Sequence, residues 1–194
     1  MITIKFMDDR KSIEIDAETI VEALETALSD GVDLRHVDLR GACLTGVDLR
    51  DACLRGACLT DADVSYAELI GADLTGAELT RADLTGTDLT DACLTDACLR
   101  HACLRRACLT RTDLTGTDLT DACLTDACLI NADLLGACLT DADVSYADLT
   151  GADLTRADLT GADLTHADLS GARLTDACLI DACLIDACLT GAIR

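Results

Sequence analysis

Val32-Asp33-Leu34-Arg35-His36, Val37-Asp38-Leu39-Arg40-Gly41, Ala42-Cys43-Leu44-Thr45-Gly46: so begins a five-letter word that is said again and again as far as Ala187-Cys188-Leu189-Thr190-Gly191, with the remnant Ala192-Ile193-Arg194 behind it. The array holds 32 complete words, without insertion, deletion or proline. Its first letter is Ala, Val or Thr. The second is Asp, Glu or Cys (once Arg173), and the third is Leu, or Val at Val64 and Val144. The fourth letter is usually Thr and the fifth mostly Gly or Asp; all 13 glycines fall in the fifth-letter register.

A period of five excludes the regular elements. On an α-helix five residues advance about 500°, so successive Leu side chains would sit about 140° apart and smear around the axis. On an unbroken strand an odd period sends alternate Leu side chains to opposite faces. A short extended piece does point letters one and three to the same side, provided that each word turns before the next begins. Gly or Asp in the fifth letter suits such a turn. A corner of about 90° per word closes after four words into a square coil of 20 residues.

The words Ala72-Asp73-Leu74-Thr75-Gly76, Ala82-Asp83-Leu84-Thr85-Gly86 and Ala152-Asp153-Leu154-Thr155-Arg156 fit the consensus A(D/N)LXX, and over about five-sixths of its length the chain resembles the pentapeptide-repeat family. The resemblance implies an all-β solenoid: a right-handed quadrilateral parallel β-helix, here of about eight coils, with letters one and three inside and letters two, four and five toward solvent. At about 4.8 Å per coil the rod is roughly 38 Å long. Stability in such an array is shared between neighbouring coils.

Residues 1–31 do not repeat. Ile2 to Phe6 alternates like a strand, residues 8–11 read as a turn, and Ser12 to Ile15 reads as the return strand. Asp16 is a candidate N-cap for a helix from Ala17 to Leu28, with Ile20, Leu24, Ala27 and Leu28 on one face and Gly31 as terminator. The expected division is therefore a β-hairpin plus α-helix N-terminal cap over 1–31 and the array over 32–194. A cap is needed because an open end exposes apolar surface and unpaired strand edges.

The net charge is −21, which argues against direct binding to nucleic acid or an anionic membrane. Neither a signal peptide nor a transmembrane segment is read from the sequence. The 13 cysteines, odd in number and spaced by the repeat, do not form a secreted disulfide framework, so a cytoplasmic location is expected.

Every cysteine is a second letter. Stacked 20 apart, one series runs Asp38, Cys58, Glu78, Cys98, Asp118, Cys138, Asp158, Cys178. Carboxylates about 4.8 Å apart repel by roughly 1 kcal/mol even in water, and an interposed neutral thiol relieves that. Cys103 with Cys123, and Cys108 with Cys128, are expected to stack as thiol on thiol, near His101. Zinc sites use short Cys-x-x-Cys turns, and here successive thiols fall on different faces, so no metal and no cofactor is expected. Guanidinium groups nearby favour thiolate, which leaves redox sensitivity open.

Three surface features stand out. Arg35, Arg40, Arg50 and Arg55 occupy fourth letters at the start of the array, either neutralising the acidic first coils or offering a small patch to an acidic partner. The coil from Ala92 to Arg111 carries Arg100, His101, Arg105, Arg106 and Arg111 against the single acid Asp96, a candidate partner-binding belt. The last coil adds Ile180, Ile185 and Ile193, a candidate end for homodimerisation. Tyr66 and Tyr146 lie 80 residues apart within near-identical segments, which places them on one face; duplication accounts for the pair.

No nucleophile elbow, P-loop or dinucleotide fingerprint is present, and His36, His101 and His166 fall at different corners. Acids are everywhere because the repeat supplies them, so they nominate no acid–base pair. A filled rod also offers little concavity. The reading is a non-catalytic acidic rod that acts as a protein-interaction scaffold, with no enzyme activity and an unidentified protein partner. The resemblance implies an alternative, since some members of the family mimic B-form DNA and bind type II topoisomerases such as gyrase. The array's 28 acids against 12 bases leave −16 over roughly 38 Å, about one charge per 2.4 Å, sparser than the one per ~1.7 Å of duplex DNA.

Overall fold

A computed structural model describes residues 1–8 and 12–194. From Val37 onward the second letter of each word pairs in parallel with the second letter 20 residues on, as in Asp38↔Cys58, Cys58↔Glu78 and so on to Arg173↔Ile193. Four words therefore make one coil, and the series of acids and thiols runs up the rod as the arithmetic requires.

The backbone accounting of a single word explains the square. In the word from Ala102 to Arg106, the Leu104 N–H donates to the Cys123 carbonyl of the next coil (2.7 Å) and the Arg106 N–H to that of Thr125 (3.1 Å). The Cys103 N–H reaches back to Ala82 (2.9 Å), and the Ala107 N–H closes the corner on Leu104 (3.1 Å). That last bond spans a β-turn whose third residue is the fifth letter, and a positive φ there is what a type II turn requires. Every fifth letter obeys, with 20 non-glycine residues at φ between 55° and 61°. Gly and Asp are frequent there because both tolerate the left-handed region.

One N–H per word remains, that of the fourth letter. Where the second letter is Asp its carboxylate supplies the acceptor: the Thr115 N–H donates to Asp113 Oδ1 (2.9 Å) and that of Thr85 to Asp83 Oδ1 (2.9 Å). Second letters are thus structural as well as displayed. Most are half-buried and Cys58 is buried, which corrects the expectation that this letter simply faces solvent.

Letters one and three fill the core. From Leu34 to Leu174 the third letters are buried, with Ala between them. Thr87, Thr112 and Thr117 replace Ala in this interior, and each hydroxyl donates to a backbone carbonyl, of Val64 (2.8 Å), Leu89 (2.7 Å) and Leu114 (2.7 Å) respectively. Polar groups are tolerated there because they are satisfied.

At the N-terminus, β1 (Ile2–Phe6) and β2 (Ile13–Ile15) form an antiparallel pair with Ile2 opposite Ile15. Of the turn expected over 8–11, residues 9–11 lie outside those described. β1 also pairs antiparallel with β3 (Val37–Asp38), so one sheet of order β2-β1-β3 ties the hairpin to the first coil. The helix α1 runs Ile20–Ser29, three residues later than expected, and its N-cap is Thr19, not Asp16. The reason is side-chain capping: the Thr19 hydroxyl accepts from the Glu22 N–H (3.1 Å), while the Glu22 carboxylate reaches back past the cap to accept from the Glu18 N–H (2.8 Å). At the other end Gly31 has φ 71°, and the bonds Gly31 N–H to Leu28 O and Val32 N–H to Ala27 O make a Schellman motif. Ile4, Ala23, Leu24 and Ala27 join the same buried cluster as Leu34 and Leu39.

Candidate interaction surface

The flat faces of the rod carry ladders of second and fourth letters. Thr75 donates its hydroxyl to Asp73 Oδ1 (2.6 Å) and lies 3.4 Å from Cys93 Sγ in the next coil. Thr95 lies 3.3 Å from the same sulfur and donates upward to Asp113 Oδ2 (3.0 Å). A thiol between two acids is therefore a hydrogen-bonded link as well as a neutral spacer. Hydroxyl and N–H donation from Ser65 holds the Asp63 carboxyl below its ordinary range, and Thr160 does the same for Asp158. At Asp113 burial pushes the pKa up, but Thr115 and Thr95 outweigh it and the net shift is downward. Burial likewise pushes the Cys108 thiol up, and donation from Thr90 and Thr110 brings it below its usual value.

The corners carry ridges of fifth letters, each above the one 20 residues earlier. Arg81 forms a two-pronged pair with Asp61 (2.6 and 2.5 Å), and Arg111 with Asp91 (2.7 and 2.7 Å). These guanidinium groups hold the Asp61 and Asp91 carboxyls below their ordinary range. Tyr66 and Tyr146 do share one ridge. The Tyr146 ring stacks on His166 at 4.8 Å between centroids, whose Nδ1 lies 3.9 Å from Asp186. Tyr66 lies across Gly86, where a Cβ would stand 2.8 Å from the ring, and with Thr85 and Arg106 they line a notch of about 190 Å³.

The residues proposed as a basic belt lie on one coil but at three successive corners. Arg100 reaches Asp118 at 3.9 Å, His101 Nδ1 reaches Asp121 at 3.6 Å, and Arg111 is committed to Asp91. Among the described residues, Arg105 and Arg106 make no such ion pair. They stand side by side on the Tyr66 ridge and the face before it. The four early arginines are all engaged: Arg35 with Asp33 (2.6 Å), Arg40 with Asp38 (2.7 Å), Arg50 with Asp48 and with Glu68 (3.3 Å), and Arg55 with Asp73 (3.5 Å). Sequence reading could not separate engaged cations from open ones, because the pairing runs between residues 2, 18 or 20 apart according to side-chain reach.

At the far end Ile180, Ile185 and Ile193 are 63%, 62% and 55% exposed. Ile180 and Ile185 are fourth letters and flank the end of the rod. The end itself is made by Leu179, Leu184 and Leu189, half-buried with Ala177, Ala182, Ala187 and Ala192 beside them. The sequence reading passed over these leucines because the same letter is fully covered in the coils before them. Among the described residues, no group of three or more His, Cys, Asp or Glu side chains is gathered as a metal ion would need, and no helix is long and apolar enough to cross a membrane.

A family model described as pentapeptide repeats (8 copies) matches residues 30–65, 57–96, 67–106, 97–136, 137–176 and 161–193. Among solved structures, the chain is similar to HetL, a pentapeptide repeat protein involved in heterocyst differentiation regulation in the cyanobacterium Nostoc sp. strain PCC 7120. Identity is 32% over 91% of this chain and 97% of that one, with a TM-score of 0.32. It is also similar to a pentapeptide repeat protein of the Arabidopsis thaliana thylakoid lumen (28% identity, 61% and 69% of the two chains, TM-score 0.31). QnrB1, a plasmid-mediated fluoroquinolone resistance protein, is 19% identical over 80% and 90% of the two chains, with a TM-score of 0.39. No curated protein sequence matches significantly. The match indicates no enzyme family. The model covers the array from end to end, and the coil is the right-handed quadrilateral β-helix: this chain belongs to the pentapeptide-repeat family.

Proposed function

We propose that the protein is a non-catalytic, acidic rod that binds an acidic segment of another protein at Arg105 and Arg106, beside the Tyr66 notch. The observation that supports this reading is the contrast in pairing. Most cations on the rod are ion-paired with a carboxylate of the same or an adjacent coil, whereas among the described residues Arg105 and Arg106, like Arg156, make no such pair; Arg106 lines the notch beside the exposed Tyr66 ring, and Arg105 stands just before it on the neighbouring face. Interfaces favour arginine and tyrosine at their centres. A flat partner meets one corner at a time, so Arg100, His101 and Arg111 take a supporting part in the belt. The last coil offers a second contact, in which two copies of the chain meet end to end, bury Leu179, Leu184 and Leu189, and bring Ile180, Ile185 and Ile193 to the rim.

The decisive comparison is affinity capture with the native rod against R105E/R106E and R111A. A protein retained by the native rod and by R111A, and lost with R105E/R106E, is the expected result. The same retained set for all three overturns the assignment. The second reading, mimicry of duplex DNA toward a type II topoisomerase, draws on the acidity of the array and on its rod form. Purified gyrase decides it: inhibition of supercoiling, or protection from a quinolone, by micromolar protein would favour mimicry. Light scattering tests the end contact, with a concentration-dependent dimer expected for the native chain and a monomer for I185D.

A further inference from the structure

Of the 13 cysteines, four are stacked thiol on thiol, Cys103↔Cys123 and Cys108↔Cys128, on adjacent faces of the same two coils. Each pair sits in a column of the same order, Asp83–Cys103–Cys123–Asp143 and Asp88–Cys108–Cys128–Asp148. The rungs are held in register by backbone bonds, Cys123 N–H to Ala102 O (2.9 Å) and Cys128 N–H to Ala107 O (3.0 Å). Parallel strands lie about 4.8 Å apart. That spacing is wide for a disulfide, which needs Cβ atoms about 3.8 Å apart. It does suit two sulfurs on opposite sides of one ion, since twice a metal–sulfur distance of about 2.3 Å is about 4.6 Å.

The carboxylates above and below each pair are hydrogen-bonded within their own words. Asp83 and Asp88 are already accepting from Thr85 (2.6 Å) and Thr90 (2.7 Å), and Asp143 from Ser145 (2.5 Å). Asp148 accepts from the Thr150 N–H at 3.0 Å. The thiols are half-buried, with hydroxyls beside each: Thr85 at 3.3 Å from Cys103 Sγ and Thr125 at 3.3 Å from Cys123 Sγ. Thr90 lies 3.2 Å and Thr110 3.5 Å from Cys108 Sγ, and Thr110 lies 3.4 Å from Cys128 Sγ. Thr110 thus touches both sulfurs of its pair, which places them on one side of the sheet. In the other pair the equivalent letter is Arg105, whose charge acts on Asp143 at the end of that column.

We infer that Cys103 with Cys123, and Cys108 with Cys128, are two linear bis-thiolate sites for a soft monovalent d10 cation of the Cu(I) class. Binding releases one proton from each thiol to solvent and forms two sulfur–metal bonds, so each occupied site carries one negative charge. Arg105 and the neighbouring hydroxyls compensate that charge. Soft thiolates select Cu(I), and two ligands suffice for a linear site. A metal on these rungs goes beyond the expectation of none drawn from zinc-like spacing, and Arg105 borders both the first of these sites and the proposed partner surface.

The test is anaerobic titration of the full chain with Cu(I) in the presence of excess glutathione, a competing monothiol, read by native mass spectrometry. Two ions retained per chain are expected. C103S/C123S should retain one, C108S/C128S one, the fourfold variant none, and C93S, which removes an unstacked thiol, two. Failure of the native chain to retain copper, or undiminished retention by the fourfold variant, overturns the proposal. Serine keeps a hydroxyl on each rung, and circular dichroism checks the fold. On the native chain alone, X-ray absorption should show two sulfurs at a single distance, and a third ligand overturns the linear site.

Discussion

Truncating one core leucine in the middle of the rod should cost far more than truncating the same letter in the last coil. Leu104 is 0% exposed. Its own N–H and carbonyl are tied to Cys123 and Ala107, and coils lie on both sides. The rungs cannot close up over a void, because their spacing is set by backbone bonds. Leu104→Ala therefore belongs at the upper part of the range for buried leucines, about 4 kcal/mol. Leu184 is half-buried, with no further coil over it in the structure, so Leu184→Ala loses a partial burial and leaves little cavity, for about 1 kcal/mol. Coils interact chiefly with their neighbours, so the central change also uncouples the two halves of the array. Urea unfolding followed by far-ultraviolet circular dichroism at low protein concentration measures both. The expected outcome is a large loss for L104A with a broadened or two-step transition, and a small shift for L184A. Equal costs for the two variants would refute the reasoning that burial between coils holds the rod together. Repeating L184A at high concentration adds a control on the end contact, since a dimer that covers Leu184 makes the substitution more costly.

Two further outcomes follow from the surface. The carboxyls of Asp113, Asp143 and Asp158 are held below their ordinary value by hydroxyl and N–H donors, so as the pH falls the unfolded chain, titrating near about pH 3.9, takes up protons first. Their contribution is present above that pH and is lost as the pH falls through the folded-state values; the melting temperature should drop between pH 4 and pH 2, and an unchanged one would contradict the assignment. Gly76→Ala meets nothing within 4 Å and pays only for a left-handed alanine, about 1 kcal/mol, whereas Gly86→Ala puts a Cβ 2.8 Å from the Tyr66 ring and must displace it. G86A should be the costlier of the two, and Tyr66→Ala should bring its cost down to that of G76A; equal costs in native Tyr66 would show that the ring does not rest there.

The five-residue period by itself pointed to a closed coil with a leucine core and residues 20 apart stacked, because it leaves letters one and three a shared interior only if each word turns; the right hand and the exact square came from the family resemblance. The period also located the corner turns, since Gly and Asp betray a left-handed position. The helix start was legible too, in Thr19-x-x-Glu22, but the acid at Asp16 drew attention three residues early. Tertiary structure decided what local sequence cannot encode. It drew β1 onto Val37–Asp38 and separated the ion-paired arginines from Arg105, Arg106 and Arg156. The arginine pairing turns on side-chain reach between coils, over gaps of 18 or 20 residues, where a displacement of a few ångströms separates an ion pair from an open charge.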